Sequence, residues 1–259
     1  MVSNQKTKQE LRLCGGKDRR QIEIADKVLQ LIATPTFWTD LESLTRILQP
    51  LTIAAHALQS NTTRLDEVFL TLGCLYTQYT SEKNTQGRTP GENEVTHWII
   101  QSLEKRWAFT DQDLFVAAAL LNPFFGRHRL GMAPGAFPGA TRYELIRRVY
   151  CRLFQPPSNL EPPELYQHWL EYTMVNPSVH FSDSALGLQT ALRHAKNTNT
   201  SPDPIVIWRQ LDIPSPSPLK ALALRLYAVV PNSAGNERIF SQYSDIATKK
   251  RNWLSPEKM

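Results

Sequence analysis

Cysteine is scarce in this chain. The 259 residues hold three, Cys14, Cys74 and Cys151, odd in number and far apart. No zinc spacing can be built from them, and such a set points to a reducing compartment rather than a disulfide framework. Each is expected to serve as small core filler. Histidines are equally isolated: His168, His180 and His194 have no second ligand one turn away, so no metal pair is formed. Long apolar runs are missing too. Residues 114–121 make one of the longest, far short of the ~20 residues that span a bilayer, so no membrane association is expected. The opening MVSNQKTKQE has no apolar stretch of the secretory kind. Gly15-Gly16-Lys17 lacks the glycine spacing and the following Ser or Thr of a phosphate loop. There is no internal repeat and no low-complexity tract.

What is present is ordinary for a folded chain: 41% hydrophobic and 20% charged residues, enough to bury one or two cores. Lys and Arg number 29 against 24 Asp and Glu, a net charge of +5. That permits contact with a polyanion without requiring it. The basic groups, Lys17 to Arg20, Arg147 with Arg148, and Lys249 to Arg251, are scattered and carry no interleaved aromatics.

Apolar periodicity reads as helices throughout. Residues 1–20 form a loose polar tail. Ile22, Val28, Leu29 and Ile32 then mark a helix that Pro35 interrupts. Phe37-Trp38 opens another with Leu41, Leu44, Ile47, Leu48 and Leu51, which Pro50 is expected to kink or end. Thr62-Thr63 is placed to cap a third, through Leu65, Val68, Phe69, Leu72, Tyr76 and Tyr79. Residues 81–92 read as a polar loop turning at Pro90-Gly91. A fourth helix follows through Trp98, Leu103 and Trp107. A fifth, capped at Thr110, ends at Asn122-Pro123, with Asp111 and Asp113 placed to suit its dipole rather than to bind metal. A loop rich in Pro and Gly precedes a capping box, Thr141 with Glu144. The helix it opens closes at Pro156-Pro157. Another starts near Pro162-Pro163, with His168 and Trp169 on its buried stripe. Residues 181–200 make a weaker helix, and Leu219, Leu222, Leu226 and Val230 line the last one before residue 231.

The most informative stretch is PNSAGNERIFSQYSDIATKKRNWL, residues 231–254. Ser233 suits an N-cap. Glu237 falls one turn in, where the helix dipole favours a carboxylate. Ile239, Phe240, Tyr243 and Ile246 share a face, and Lys249, Lys250 and Arg251 sit near the far end. Ser255-Pro256-Glu257 then reads as a further helix start with only Lys258 and Met259 behind it. A helix given no length has no stability of its own, so the chain reads as cut short.

This stretch resembles the C-terminal dimerisation region of the hAT transposase superfamily. The matching blocks are Asn232-Ser233-Ala234, Glu237-Arg238-Ile239-Phe240-Ser241, and residues 248–257, TKKRNWLSPE, with matching spacing between them. Gly235-Asn236 and Trp253 depart from the usual wording. Residues 37–51 are similar to the opening of the helical domain inserted into the catalytic fold of those enzymes, LEKRW…DQDLFVAAALLNPFF is similar to a later part of it, and Asp203-Pro204 with Trp208 to the element that introduces the last block.

The resemblance implies a mainly α chain: a helical insertion-domain remnant over residues 21–200, then residues 201–259 as the terminal helices of an RNase H-like fold whose sheet is missing. The family cuts and joins DNA with three carboxylates that hold Mg2+ or Mn2+. Glu237 corresponds to the third. The two aspartates belong to upstream strands, and only some twenty polar residues stand upstream here. One carboxylate cannot position two hard cations, so the chain is expected to be catalytically incompetent alone and to hold no cofactor, with Glu237 a metal ligand only where partner acids are supplied. The implied role is association with itself or with an intact hAT transposase, through Trp208, Leu222, Leu226, Arg238, Phe240, Tyr243, Arg251, Trp253 and Leu254, in the nucleus. Two alternatives stay open. One is a working recombinase that recruits Asp183, Asp203 or Asp212 beside Glu237. The other is a non-specific DNA-binding adaptor using Arg147, Arg148 and residues 249–251.

Overall fold

The computed structural model describes residues 9–10, 19–83, 88–125, 138–157, 160–174, 179–214 and 216–231. Every regular element among them is helical, and the protein is mainly α. In chain order these are α1 (Arg19–Ala33), α2 (Pro35–Leu58), α3 (Leu65–Lys83), α4 (Pro90–Phe109), α5 (Gln112–Leu120), α6 (Gly139–Phe154), α7 (Pro163–Thr173), a single 3-10 turn (Val179–Phe181), α8 (Leu188–Thr198), α9 (Pro204–Gln210) and α10 (Pro218–Tyr227). The chain divides into two compact units, residues 1–54 with 78–101 and residues 55–77 with 102–259. Both sides of position 200 contribute to the core of the second, which holds Leu165 and Leu188 as well as Ile207 and Trp208.

In the first unit, Pro50 does not end its helix: α2 runs on to Leu58. Proline there removes one rung of the ladder and crowds the turn before it. The buried Tyr79 of α3 mends the damage. Its hydroxyl donates to the Ile47 carbonyl at 2.6 Å, and the Leu51 amide donates to the same oxygen. The phenol thus stands between the donor and acceptor that would pair directly in an unbroken helix, an insertion typical of kinks. Burial, first of all, raises the Tyr79 pKa.

The segment expected as a loop around Pro90-Gly91 is instead the first turn of α4. Thr89 is its cap. The Glu92 amide donates to Thr89 Oγ1 at 3.2 Å, and Glu92 Oε2 accepts from the Thr89 amide at 2.9 Å. This is a reciprocal capping box with proline at the first helical position. The other carboxylate oxygen of Glu92 accepts from Ser43 and Arg46 of α2. Hydrogen bonds from Ser43 and from the Thr89 amide, with the charge of Arg46, hold the Glu92 carboxyl down at about 2 against an ordinary 4.5.

In the second unit, α5, α6, α7, α9 and α10 enclose Leu120, Leu121, Ile146, Leu165, Leu219 and Leu226 with almost no exposure. Several expected starts are displaced. Thr63 donates to the Leu58 carbonyl rather than capping α3, and Glu67 reaches back to the Arg64 amide at 2.9 Å instead. Helix α6 begins at Gly139, so Thr141 lies inside it and Glu144 is drawn away from capping by two 2.8 Å bonds from Arg147. Asp203 caps α9 by accepting from the Ile205 amide at 2.9 Å. Gly187, at φ +62°, takes the left-handed turn that starts α8. Cys74 is exposed, not core filler, while Cys151 is half-buried. Helix α10 ends at Tyr227, which leaves Val230 exposed.

Two outcomes are expected for the first unit. Tyr79→Phe deletes the hydroxyl that satisfies Ile47 and should destabilise the unit by about 1–3 kcal/mol, with the Leu51 amide losing hydrogen-exchange protection. A carboxyl whose folded pKa lies below its unfolded value stabilises fully above the unfolded pKa. The contribution of Glu92 is therefore present above about pH 4.5 and drains as pH falls toward about 2. Acid titration of stability should show that loss, and Glu92→Gln should flatten it.

Candidate functional site

Helix α5 is short, alanine-rich and buried at its far end, where Ala117 to Leu121 have essentially no exposure. The last carbonyls of a helix have no partner within it, and buried ones are costly if left unpaired. Here they are met by aromatic donors from three other helices. Tyr227 of α10 donates its hydroxyl to the Ala118 carbonyl at 2.9 Å. Tyr172 of α7 reaches the Leu120 carbonyl at 3.4 Å, and the Trp208 indole of α9 reaches Leu121 at 2.8 Å. The rings of Tyr172 and Trp208 lie 5.4 Å apart, with Phe181 edge-on to both. Complete burial pushes the Tyr227 pKa well above its ordinary value, with the charge of Asp66 adding to it.

Just beyond α5, Asn122 links this end to a buried ion pair. Its amide donates to Asp66 Oδ2 at 2.7 Å, and its oxygen accepts from the Phe124 amide at 2.9 Å. Asp66 also takes Arg64 Nε at 3.1 Å, and its side chain is 1% exposed. Burial lowers the Arg64 pKa, but Asp66 and Glu67 outweigh that and raise it overall. The charge is thus paired and hydrogen-bonded, as a buried carboxylate requires. Periodicity marked Leu65 and Val68 but gave Asp66 no role. Asn122-Pro123 signals a helix stop, and the same Asn122 is what holds Asp66.

The residues singled out from the sequence fall into two groups. Glu237, Arg238, Phe240, Tyr243, Arg251, Trp253 and Leu254 lie outside the described residues, as do Lys249 and Lys250. Trp208, Leu222 and Leu226 are within them, and none has any exposure. Any part they take in association is to shape the surface from beneath.

Of the aspartates considered as companions for Glu237, Asp203 uses its carboxylate as the α9 cap. The bonds of Asp183 with Leu188 and of Asp212 with His180 are made by backbone carbonyls and do not engage their carboxylates. Among the described residues no group of three or more His, Cys, Asp or Glu is arranged to hold a metal ion. His168 is a buried core histidine, 3.4 Å from the Ser217 hydroxyl. The basic pair on α6 is committed within the chain. Arg147 pairs with Glu144 at 2.8 Å, and Arg148 makes bonds of 2.9–3.1 Å to Asp113. The neighbouring Arg152 takes Asp111 at 3.0 Å. Asp111 and Asp113 thus anchor α5 to α6 rather than merely suiting a dipole.

In the first unit the apolar faces of two helices are left uncovered. Helix α1 buries no residue. Its Ile24, Val28 and Leu31, spaced i, i+4, i+7, are about half exposed, and Leu41, Leu44 and Leu48 of α2, spaced i, i+3, i+7, are only slightly less so. An isolated helix of this length is marginal in water, and exposed apolar faces of this kind characterise protein-binding surfaces. No helix among the described residues is long and apolar enough to cross a membrane.

Comparison of the chain with protein-family models, with curated proteins and with solved structures finds no match.

The α5 hub makes a graded prediction. Tyr227→Phe removes the donor to a fully buried carbonyl and should cost the second unit about 1–3 kcal/mol. Tyr172→Phe removes a longer bond and should cost less. Equilibrium denaturation of the two variants checks the order.

Proposed function

We propose that this chain is a transposon-derived protein of the hAT kind that acts by protein association, with itself or with an intact hAT transposase in the nucleus. On this reading it is catalytically incompetent alone. The observation that carries it is the wording of residues 232–257, where three motif blocks stand in the order and spacing of the hAT dimerisation region. The uncovered apolar faces of α1 and α2 support the same reading, since such surfaces gain free energy when a partner removes them from water. On this reading Glu237 is the vestige of a three-carboxylate metal site, and Mg2+ or Mn2+ would be held only with acids from an intact relative.

The DNA-adaptor alternative is weakened by the engagement of Arg147 and Arg148 with carboxylates, since a cation already paired releases fewer counterions on meeting phosphate.

Size-exclusion chromatography with light scattering tests the proposal on the full chain. The expected mass at micromolar concentration is twice the 29.5 kDa of one chain, and Phe240→Asp should raise the dissociation constant by about tenfold or more. A folded protein that stays strictly monomeric would refute self-association. Added Mg2+ or Mn2+ should produce no strand cleavage by the chain alone.

A further inference from the structure

A groove of ≈ 380 Å³ lies between α3 and α4 within the second unit. Phe69, Leu72, Gly73 and Tyr76 form one wall, spaced i, i+3, i+4, i+7 on α3; Leu103, Glu104 and Trp107 form the other, spaced i, i+1, i+4 on α4. The size is that of a small-molecule site. The floor at Gly73 is open: a Cβ placed there would meet nothing within 4 Å. The Phe69 and Trp107 rings lie 5.8 Å apart at 52°, and Phe115 stands behind Trp107 at 6.2 Å.

Against these apolar and aromatic walls there is one charge. Glu104 accepts from the Tyr76 hydroxyl at 3.1 Å through Oε1, and among the described residues no cationic side chain pairs with it. Lys105 and Arg106 follow it directly on α4, and residues one and two positions on do not share a helix face. A carboxylate held by a phenol beside aromatic rings presents negative potential twice over, from its own charge and from the ring faces. That combination recognises quaternary ammonium and guanidinium groups.

We propose that this groove binds a small organic cation, an ammonium or guanidinium head on an aromatic or branched aliphatic stem. The stem lies against Phe69, Leu72 and Leu103, and the head lies beside Glu104 and Tyr76. This proposal does not depend on the proposed function.

The probe is benzyltrimethylammonium, titrated into the full chain by calorimetry or saturation-transfer NMR, with phenylacetate and benzyl alcohol as anionic and neutral counterparts. The cation should bind saturably in the millimolar range or tighter, and phenylacetate should not. Glu104→Gln keeps an acceptor for Tyr76 but removes the charge. It should weaken the cation by about five- to tenfold and leave benzyl alcohol unchanged. Gly73→Leu fills the groove at a position with free space and a better helix former, so it should abolish binding with helical content retained. Equal binding of cation and anion would overturn the assignment. So would a cation affinity indifferent to both substitutions, or no saturable binding at all.

Discussion

The second unit depends on how the end of α5 is satisfied. A helix that stops inside a protein leaves carbonyls that water cannot reach, and each must find a donor or destabilise the fold. Here the donors are two phenols and an indole, side chains that bring a large apolar body together with one polar tip. Tyr172, Trp208 and Tyr227 therefore fill the core and cap the helix in the same stroke. Because they come from α7, α9 and α10, the stop of one nine-residue helix fixes the depth and rotation of three others. Asn122 extends this arrangement to the Arg64–Asp66 pair at the start of α3. A buried ion pair gives little net stability against an apolar replacement, while breaking one partner away is costly. Its effect here is to fix which residue of α3 meets the chain after α5.

The same logic of one group serving two purposes recurs in the first unit. Tyr79 fills the interior and repairs α2 at Pro50. Glu92 caps α4 with one oxygen and clasps α2 with the other. In each case the side chain meets a backbone need that the local sequence created: the opened Leu51–Ile47 rung beside Pro50, and a helix start without acceptors.

This is also where the sequence could and could not be read. Helices α2, α3 and α10 were legible because apolar residues at i, i+3, i+4 and i+7 report burial directly. Proline was the hardest residue to read. At Pro50 the local rule allows either a kink or an end, and the choice is settled by Tyr79, nearly thirty residues away, which no window around the proline contains. At Pro90 the chain does carry a local signal, Thr89 followed three residues later by Glu92, and the turn propensity of Pro90-Gly91 masked it. Thr141 and Glu144 show the opposite error: the same spacing reads as a cap, yet Glu144 found the guanidinium of Arg147 a turn later, and a charged donor outcompetes a backbone amide. A carboxylate with a second oxygen to spare can serve both, as Glu92 does with Thr89 and Arg46, but Glu144 gives both of its oxygens to Arg147. The three aromatic donors to α5 were legible as core residues and illegible as caps, since hydrogen-bond partners 52 to 109 positions apart leave no mark on periodicity.

The distribution of charge and apolar surface bears on what kind of protein this is. Arginines on α6 that would suit a polyanion in an open arrangement are spent on Glu144, Asp113 and Asp111, which lock α5 to α6. Exposed ion pairs of this sort add little stability singly, but they cancel the local positive field on which electrostatic capture of nucleic acid relies. Apolar area shows the reverse. The second unit encloses a large core yet leaves single side chains such as Phe109, Tyr166 and Leu192 exposed, whereas in the first the exposed isoleucine, valine and leucine side chains line up along α1 and α2. On α6, then, the arginines meet carboxylates of the same chain, while on α1 and α2 apolar side chains meet water. A free energy gain on removing such side chains from water is available to any partner that covers them, whereas a guanidinium already paired must first give up its carboxylate.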